Sequence, residues 1–304
     1  MSEDRFILLD ADASRPTRVS LPPGTTVKAG VDDTEGRFTL MEYRGRGGLP
    51  PHVHGTSDAF VYVLDGELGI DFDGETHRLT EGMCAFLPSG VTHAMRGLSD
   101  TPVHVLCLSS PGSPGDAEAG HALPAEDGAR DRVQVDEFTA LNGEVEEKGD
   151  KSRFYLLGKG DVRPGRLRVP PAFASKVRST DTDDRLSLLE MVVAQQIPRH
   201  VHHRADEGIF VLDGELVVEF VDRTYRATPG QFVLLPYGVP HTMRPGSGRP
   251  PRVLQISSPG GWECFIEDLI EARRHITTDG ELDARSLNPI AAKYGITYEE
   301  RPRL

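Results

Sequence analysis

The sequence predicts an all-β protein built from two tandem antiparallel barrels or curled sandwiches, with a short helical segment at the C-terminal end. Three observations carry that prediction. Residues 5–112 align with 153–260 at a constant offset of 148 without a gap, and 46 of the 108 aligned positions are identical, so one fold occurs twice. Within each copy the apolar residues come in short alternating stretches divided by Gly, Pro, Asp and Ser, the pattern of many strands and tight turns. After the second copy the apolar period changes from 2 to 3.6, which marks a helix.

In the first copy the alternation is clearest in Phe60–Leu64, Leu68–Phe72 and Cys84–Leu87. Asp65-Gly66 reads as a hairpin turn between the first two, and Asp73-Gly74 opens the next, because Asp-Gly suits the positive dihedral angles of a two-residue loop. The second copy repeats the plan in Ile209–Leu212, Leu216–Phe220 and Phe232–Leu235, with Asp213-Gly214 as the turn. Residues 113–136 are poor in large apolar groups and read as a linker that holds His121. Phe265, Ile266, Leu269 and Ile270 line one face of a helix running from about Trp262 to Arg274, expected to close the outer surface of a sheet. The stretch Leu287–Ile296 predicts a short helical turn stopped by Gly295, with no chemistry assigned to it. The domains expected are therefore 1–112 and 151–262 for the barrels, 113–150 for the linker and strand exchange region, and 263–304 for the extension.

Composition narrows the function. With 34 basic and 47 acidic residues the formal charge is -13 and basic runs are absent, which argues against nucleic acid as a partner. No stretch approaches the roughly 18 apolar residues of a membrane span, and the start lacks a basic segment followed by an apolar one. Three scattered cysteines, Cys84, Cys107 and Cys264, fit a reducing compartment. A cytoplasmic protein with a small-molecule partner is expected, either a monomeric pseudodimer or a homo-oligomer.

The identities between the copies crowd around His52-Val53-His54 against His200-Val201-His202, and around His93 against His241. One residue separates His200 from His202, so on a strand both imidazoles point to one side. Glu207 follows five residues later, across what reads as a loop between paired strands. His241 comes 34 residues after Glu207, beyond Gly230, Pro236 and Gly238, where a turn can deliver it to the same centre. Three neutral imidazoles and a carboxylate suit Fe(II), Mn(II), Ni(II), Co(II) or Zn(II). His203 alternates away from His202 and is left out, and strand parity turns Asp206 away too. The first copy keeps His52, His54 and His93 but has Ala59 where the second has Glu207. Those three histidines define a weaker second site, an empty relic, or a domain kept for packing, interface or lid duties.

These motifs resemble those of the cupin superfamily, and specifically its two-domain members, the bicupins. The first family motif reads Pro198-Arg199-His200-Val201-His202, then Glu207 and Gly214. The second reads Gly230, Pro236, Gly238 and His241. In the first half the same positions are His52, His54 and Gly66, then Gly82, Pro88, Gly90 and His93, with Ala59 as the departure. The resemblance implies double-stranded β-helix (jelly-roll) barrels, with His200, His202, Glu207 and His241 as metal ligands. Length, duplication and the segment after Gly260 are similar to the quercetin 2,3-dioxygenase-like group. That nearer resemblance implies a metal-dependent dioxygenase, with Fe(II) favoured, acting with dioxygen on an enolic, phenolic or flavonol-like substrate. Glu207 would then serve as ligand and general base.

Two other classes remain in view: a redox-neutral isomerase, decarboxylase or hydrolase of a small oxygen-rich acid, and a noncatalytic binder. An enzyme for anions calls for a basic residue inside the barrel, and Arg244 with its counterpart Arg96 is the nearest repeated candidate. A planar polyphenol calls for aromatic or apolar walls, for which Phe210, Phe220, Phe232, Leu234 and Met243 are candidates.

Overall fold

The computed structural model describes residues 5–17, 21, 23–112, 148–272, 277–278 and 281–300. Nearly all of the expected linker, His121 included, lies outside them, as does the end of the expected helix beyond Ala272. The chain divides into two compact units, Ala13–Asp161 and Met1–Asp12 with Val162–Leu304. Among the described residues no helix is long and apolar enough to cross a membrane.

The first unit pairs two antiparallel sheets. One has six strands in the order Tyr155–Leu157, Cys84–Leu87, Asp58–Asp65, Val103–Ser110, Thr39–Gly45 and Thr25–Ala29. The other has four, in the order Gly48–His52, His93–Gly97, Glu67–Phe72 and Glu75–Thr80. Alternation places Ala59, Val61 and Val63 from one sheet and Leu68, Ile70 and Phe72 from the other in a common buried core, the period-2 arrangement of a half-buried strand. Asp73 and Gly74 both have positive φ, 48° and 80°, and close the two-residue hairpin that Asp-Gly favours.

Asp65-Gly66 is different from the expectation. The strands it joins lie in different sheets, so it turns a corner instead of closing a hairpin. Only Gly66 takes a positive φ, 80°, so the paired left-handed residues of a tight hairpin turn are missing. A Cβ there would stand 2.8 Å from the carbonyl oxygen of Pro102, which is why the position takes glycine.

The second unit repeats this plan. Its six-stranded sheet runs Ile7–Leu9, Phe232–Leu235, Asp206–Asp213, Arg252–Ser258, Ser187–Val192 and Phe173–Val177. Its other sheet has five strands, Thr224–Ala227, Leu216–Glu219, His241–Pro245, Ile197–His202 and Ile296–Tyr298. The strands that correspond in the repeat, Ile7–Leu9 and Tyr155–Leu157, sit in opposite units: the first pairs with Phe232–Leu235 and the second with Cys84–Leu87. An aromatic residue beside each strand holds it in place. Phe154 stacks on Phe72 at 4.0 Å, and Phe6 meets Phe220 edge-on at 4.9 Å.

The C-terminal extension is only partly helical. The helix Trp262–Ala272 and the helix Ala284–Ala291 are followed by a 3-10 turn that ends at Gly295, φ 68°, and by the strand Ile296–Tyr298. Trp262, Phe265, Leu287, Ile296 and Tyr298 form one buried cluster with Leu189 of the barrel. Leu189 shares strand parity with Met191 of the barrel interior, so the extension reaches the interior and does not merely cover an outer sheet surface.

Candidate metal centre

The two histidine strands and the carboxylate strand belong to facing sheets. Ile197–His202 pairs with His241–Pro245, with His200 opposite His241. Glu207 lies on Asp206–Asp213 in the other sheet. The segment between His202 and Glu207 therefore crosses between sheets and is not a loop joining paired strands. This crossing aims the carboxylate across the interior at the imidazoles. The turn before His241 is tied down twice, by Gly238 N–H donating to the His202 carbonyl at 2.7 Å and by Tyr237 N–H donating to Asp206 at 3.0 Å. Asp206 also takes the Arg5 guanidinium at 2.5 Å. It thus faces away from the centre, as parity required, and Asp58 repeats the arrangement with Ser89 N–H and Arg153.

One donor atom from each of His200, His202, Glu207 and His241 falls within a sphere where all lie less than 4.8 Å apart, and all four residues are buried. Nδ1 of His200 lies 2.9 Å from the Pro198 carbonyl and Nδ1 of His241 2.9 Å from the Val239 carbonyl. A carbonyl can only accept, so each Nδ1 carries the proton and each Nε2 presents a lone pair to the centre. Nε2 of His200 and His202 are 3.1 Å apart. Glu207 Oε2 is 3.2 Å from His241 Nε2 and 3.5 Å from His202 Nε2. Among the described residues, neither Glu207 Oε2 nor His241 Nε2 has a hydrogen-bond partner, although both are buried. Converging lone pairs and a carboxylate oxygen without donors are what a cation satisfies, so the donor set fits a divalent transition metal.

Protonation agrees with that reading. Burial and the neighbouring His241 and His202 press the His200 imidazole well below its ordinary range. Burial outweighs the Glu207 charge at His202 and lowers it to about 4. Burial pushes the Glu207 carboxyl up, but contacts with His241, His202 and Gln255 outweigh it and leave the group lowered. Near neutral pH the centre holds neutral His200 and His202 with an ionised Glu207, the forms that ligate. Gln255 holds the other carboxylate oxygen, its Nε2 donating to Glu207 Oε1 at 2.7 Å.

The first barrel brings His52, His54 and His93 together within the same 4.8 Å limit. Its Nδ1 contacts are equivalent, His52 to the Pro50 carbonyl at 2.8 Å and His93 to the Val91 carbonyl at 3.1 Å. Ala59 occupies the carboxylate position and Cys107 the position of Gln255. His203 is exposed, its Nε2 on Thr297 at 2.8 Å, and stays outside the set.

Of the wall candidates, Met243 and Phe220 pack in the interior cluster with Ile209, Val211, Val233 and Leu235. Phe210, Phe232 and Leu234 alternate with those residues and are buried on the opposite face. Arg244 likewise alternates outward to Glu219 at 2.7 Å, and Arg96 to Asp71 at 3.2 Å. Two residues absent from the expected site adjoin it: Tyr298 stacks on His200 at 5.1 Å, and Trp262 lies 5.2 Å from His202. Both fall after the repeat, where no paired copy draws attention to them.

Fold and centre together define a β-barrel present twice, each copy with a cluster of side chains that could hold a metal. The cupin domain model matches residues 39–109 and 187–257, once in each copy of the repeat, so each half of the chain carries a cupin domain. A quercetin 2,3-dioxygenase from Bacillus subtilis (strain 168) is 24% identical over 273 residues, covering 80% of each chain. The polyketide synthase CurC of Streptomyces cyaneus is 32% identical over 84 residues, 28% of this chain and 54% of that one. Among solved structures, the oxalate decarboxylase formate complex of Lactobacillus farciminis has a TM-score of 0.52 at 14% identity, covering 83% of this chain and 86% of that one, a likeness of fold alone.

Proposed function

We propose that the protein is a metal-dependent dioxygenase that acts on a small enolic or phenolic compound in its C-terminal barrel. The observation that carries the reading is the buried cluster His200, His202, Glu207 and His241, in which Glu207 Oε2 and His241 Nε2 have no hydrogen-bond partner among the described residues. Similarity to a quercetin 2,3-dioxygenase over 80% of both chains supports the oxygenase class. The outward turn of Arg244 to Glu219 takes from the interior the basic residue that an anionic substrate would call for.

A divalent metal held by the four residues would supply Lewis acidity and a template for the substrate oxygens. The chain's own part is protonic and steric. Gln255 restrains Oε1 of Glu207 and leaves Oε2 to accept the hydroxyl proton of an entering enol or phenol. The depressed carboxyl keeps that acceptor ionised at neutral pH. Val211, Val218, Leu235 and Met243 form an apolar interior that limits water at the centre.

An oxygen electrode with product mass analysis tests this on protein loaded anaerobically with Fe(II), Mn(II), Ni(II) or Co(II). Catechol-like and enolic compounds should drive oxygen uptake, with two oxygen atoms gained in the product. Glu207→Gln should lower turnover more than metal occupancy, because the amide cannot take the proton. Turnover without oxygen uptake would transfer the assignment to a redox-neutral isomerase, decarboxylase or hydrolase.

A further inference from the structure

We infer that the C-terminal extension is part of the metal centre: Tyr298 and Trp262 are positioning residues whose rings clamp His200 and His202 in their ligating orientations. The inference rests on the reading that this cluster holds a divalent transition metal.

The placement is specific. The strand Ile296–Tyr298 adds to the edge of Ile197–His202, with Tyr298 opposite His200 and Ile296 opposite His202. The Tyr298 ring lies nearly parallel to the His200 imidazole, 27° apart, while the Trp262 ring is tilted 42° from His202. Both aromatic side chains are buried, 3% and 5% exposed. In the first barrel the equivalent strand Gly48–His52 pairs with His93–Gly97 and, among the described residues, with no other strand.

The clamp is itself held from several sides. His203 N–H donates to Gly295 and Glu299 N–H to Arg199, each at 2.8 Å, and these bonds bracket the added strand. Asn288 bonds both backbone groups of Tyr298, at 2.7 and 3.0 Å. Trp262 begins a helix whose next residue, Glu263, takes the N–H and hydroxyl of Ser179 at 2.7 Å. One turn on, Glu267 takes Arg178 at 2.9 Å. Rings fixed this firmly restrict rotation of the imidazoles against them, and ligands already in place lose less freedom when they bind an ion. Covering the two histidines also keeps water from competing for the ion.

The test uses full-length protein loaded with Co(II), whose visible spectrum reports coordination, in competition with a chelator. Tyr298→Met and Trp262→Leu should each raise the Co(II) dissociation constant about tenfold, the lower end for groups that orient a ligand, and alter the spectrum. Tyr298→Phe keeps the ring and should retain wild-type affinity. Folded Met and Leu variants, verified by circular dichroism, that bind Co(II) like wild type would overturn the clamp. A Tyr298→Phe loss as large as that of Tyr298→Met would overturn it too, by assigning the effect to the hydroxyl. Should Tyr298→Met not fold, Trp262→Leu tests the second ring independently. Wild-type protein that takes up no Co(II) overturns the metal reading itself, an outcome distinct from unchanged variants.

Discussion

The two barrels share their backbone plan and three histidines but differ in what surrounds them. Both hold two imidazoles by Nδ1–carbonyl contacts two residues back, at Pro50 and Val91 in one and Pro198 and Val239 in the other. They part at a coupled pair. Ile209 faces Gln255 and Glu207 faces Ser257 across one strand pair, whereas Val61 faces Cys107 and Ala59 faces Ser109 across the other. Positions 207 and 255 are thus diagonal neighbours on one face. An amide without its carboxylate, or the reverse, would leave a buried polar group unsatisfied, so the two positions change together. The first barrel has apolar Ala59 and the buried thiol Cys107, which burial pushes up to about 12. The second carries a carboxylate, its amide and an aromatic clamp. The lesson is that duplication preserved the imidazole geometry, while the acid and its supports distinguish one copy from the other.

The largest expected effect separates the copies by turnover. His241→Ala should abolish it and His93→Ala should reduce it only partly, as measured by steady-state rates normalised to metal content. Loss of all activity on changing His93 alone would reverse the assignment of the active barrel.

A second separation is by pH, in metal-free protein. His202 stays neutral in the folded state down to about 4, whereas the unfolded imidazole takes its proton near 6.5. Between those values the unfolded chain binds more protons, so stability is greatest above pH 6.5 and falls as pH drops toward 4. The loss is on the order of 3 kcal/mol from this residue. Urea unfolding with a chelator present should show it in the C-terminal unit, and His202→Phe should reduce the dependence, the buried His200 supplying what remains. A wild-type midpoint that does not move over this range would contradict the buried neutral imidazole.

The smallest effect concerns the coupled pair. Gln255→Leu should weaken metal binding in the C-terminal barrel about tenfold, the scale for a residue that orients a ligand. Installing Ala59→Glu with Cys107→Gln should strengthen binding in the first barrel. Isothermal titration with each variant checks both directions. Equal affinities before and after the double change would mean that the carboxylate pair is not what divides the barrels.

Much of this was legible in the chain. The offset of 148 located two barrels, and His200, His202 and His241 stood out because each has a partner at His52, His54 and His93. Parity correctly turned His203 and Asp206 away. Phe210, Phe232 and Leu234 have the bulk of a wall, but the same parity sets them on the face opposite Glu207. Asp65-Gly66 looked like a hairpin because the dipeptide is the same as at Asp73-Gly74; which strand lies next is a matter of sheet, not of turn residues.

The residue types that can hold an ion, the periodicity of the strands and the missing carboxylate at Ala59 are properties of the sequence alone. They depend on local chemistry and on comparison of one copy with the other. Three features were decided only by the tertiary structure. The first strand of each copy completes the other copy's sheet. Glu207 reaches its histidines from the facing sheet. Tyr298, 98 positions after His200 in the numbering of the chain, stacks on it. Each of these depends on which edges and faces the folded chain buries against one another. That choice balances burial and backbone pairing over the whole barrel, and no local pattern of residues contains it.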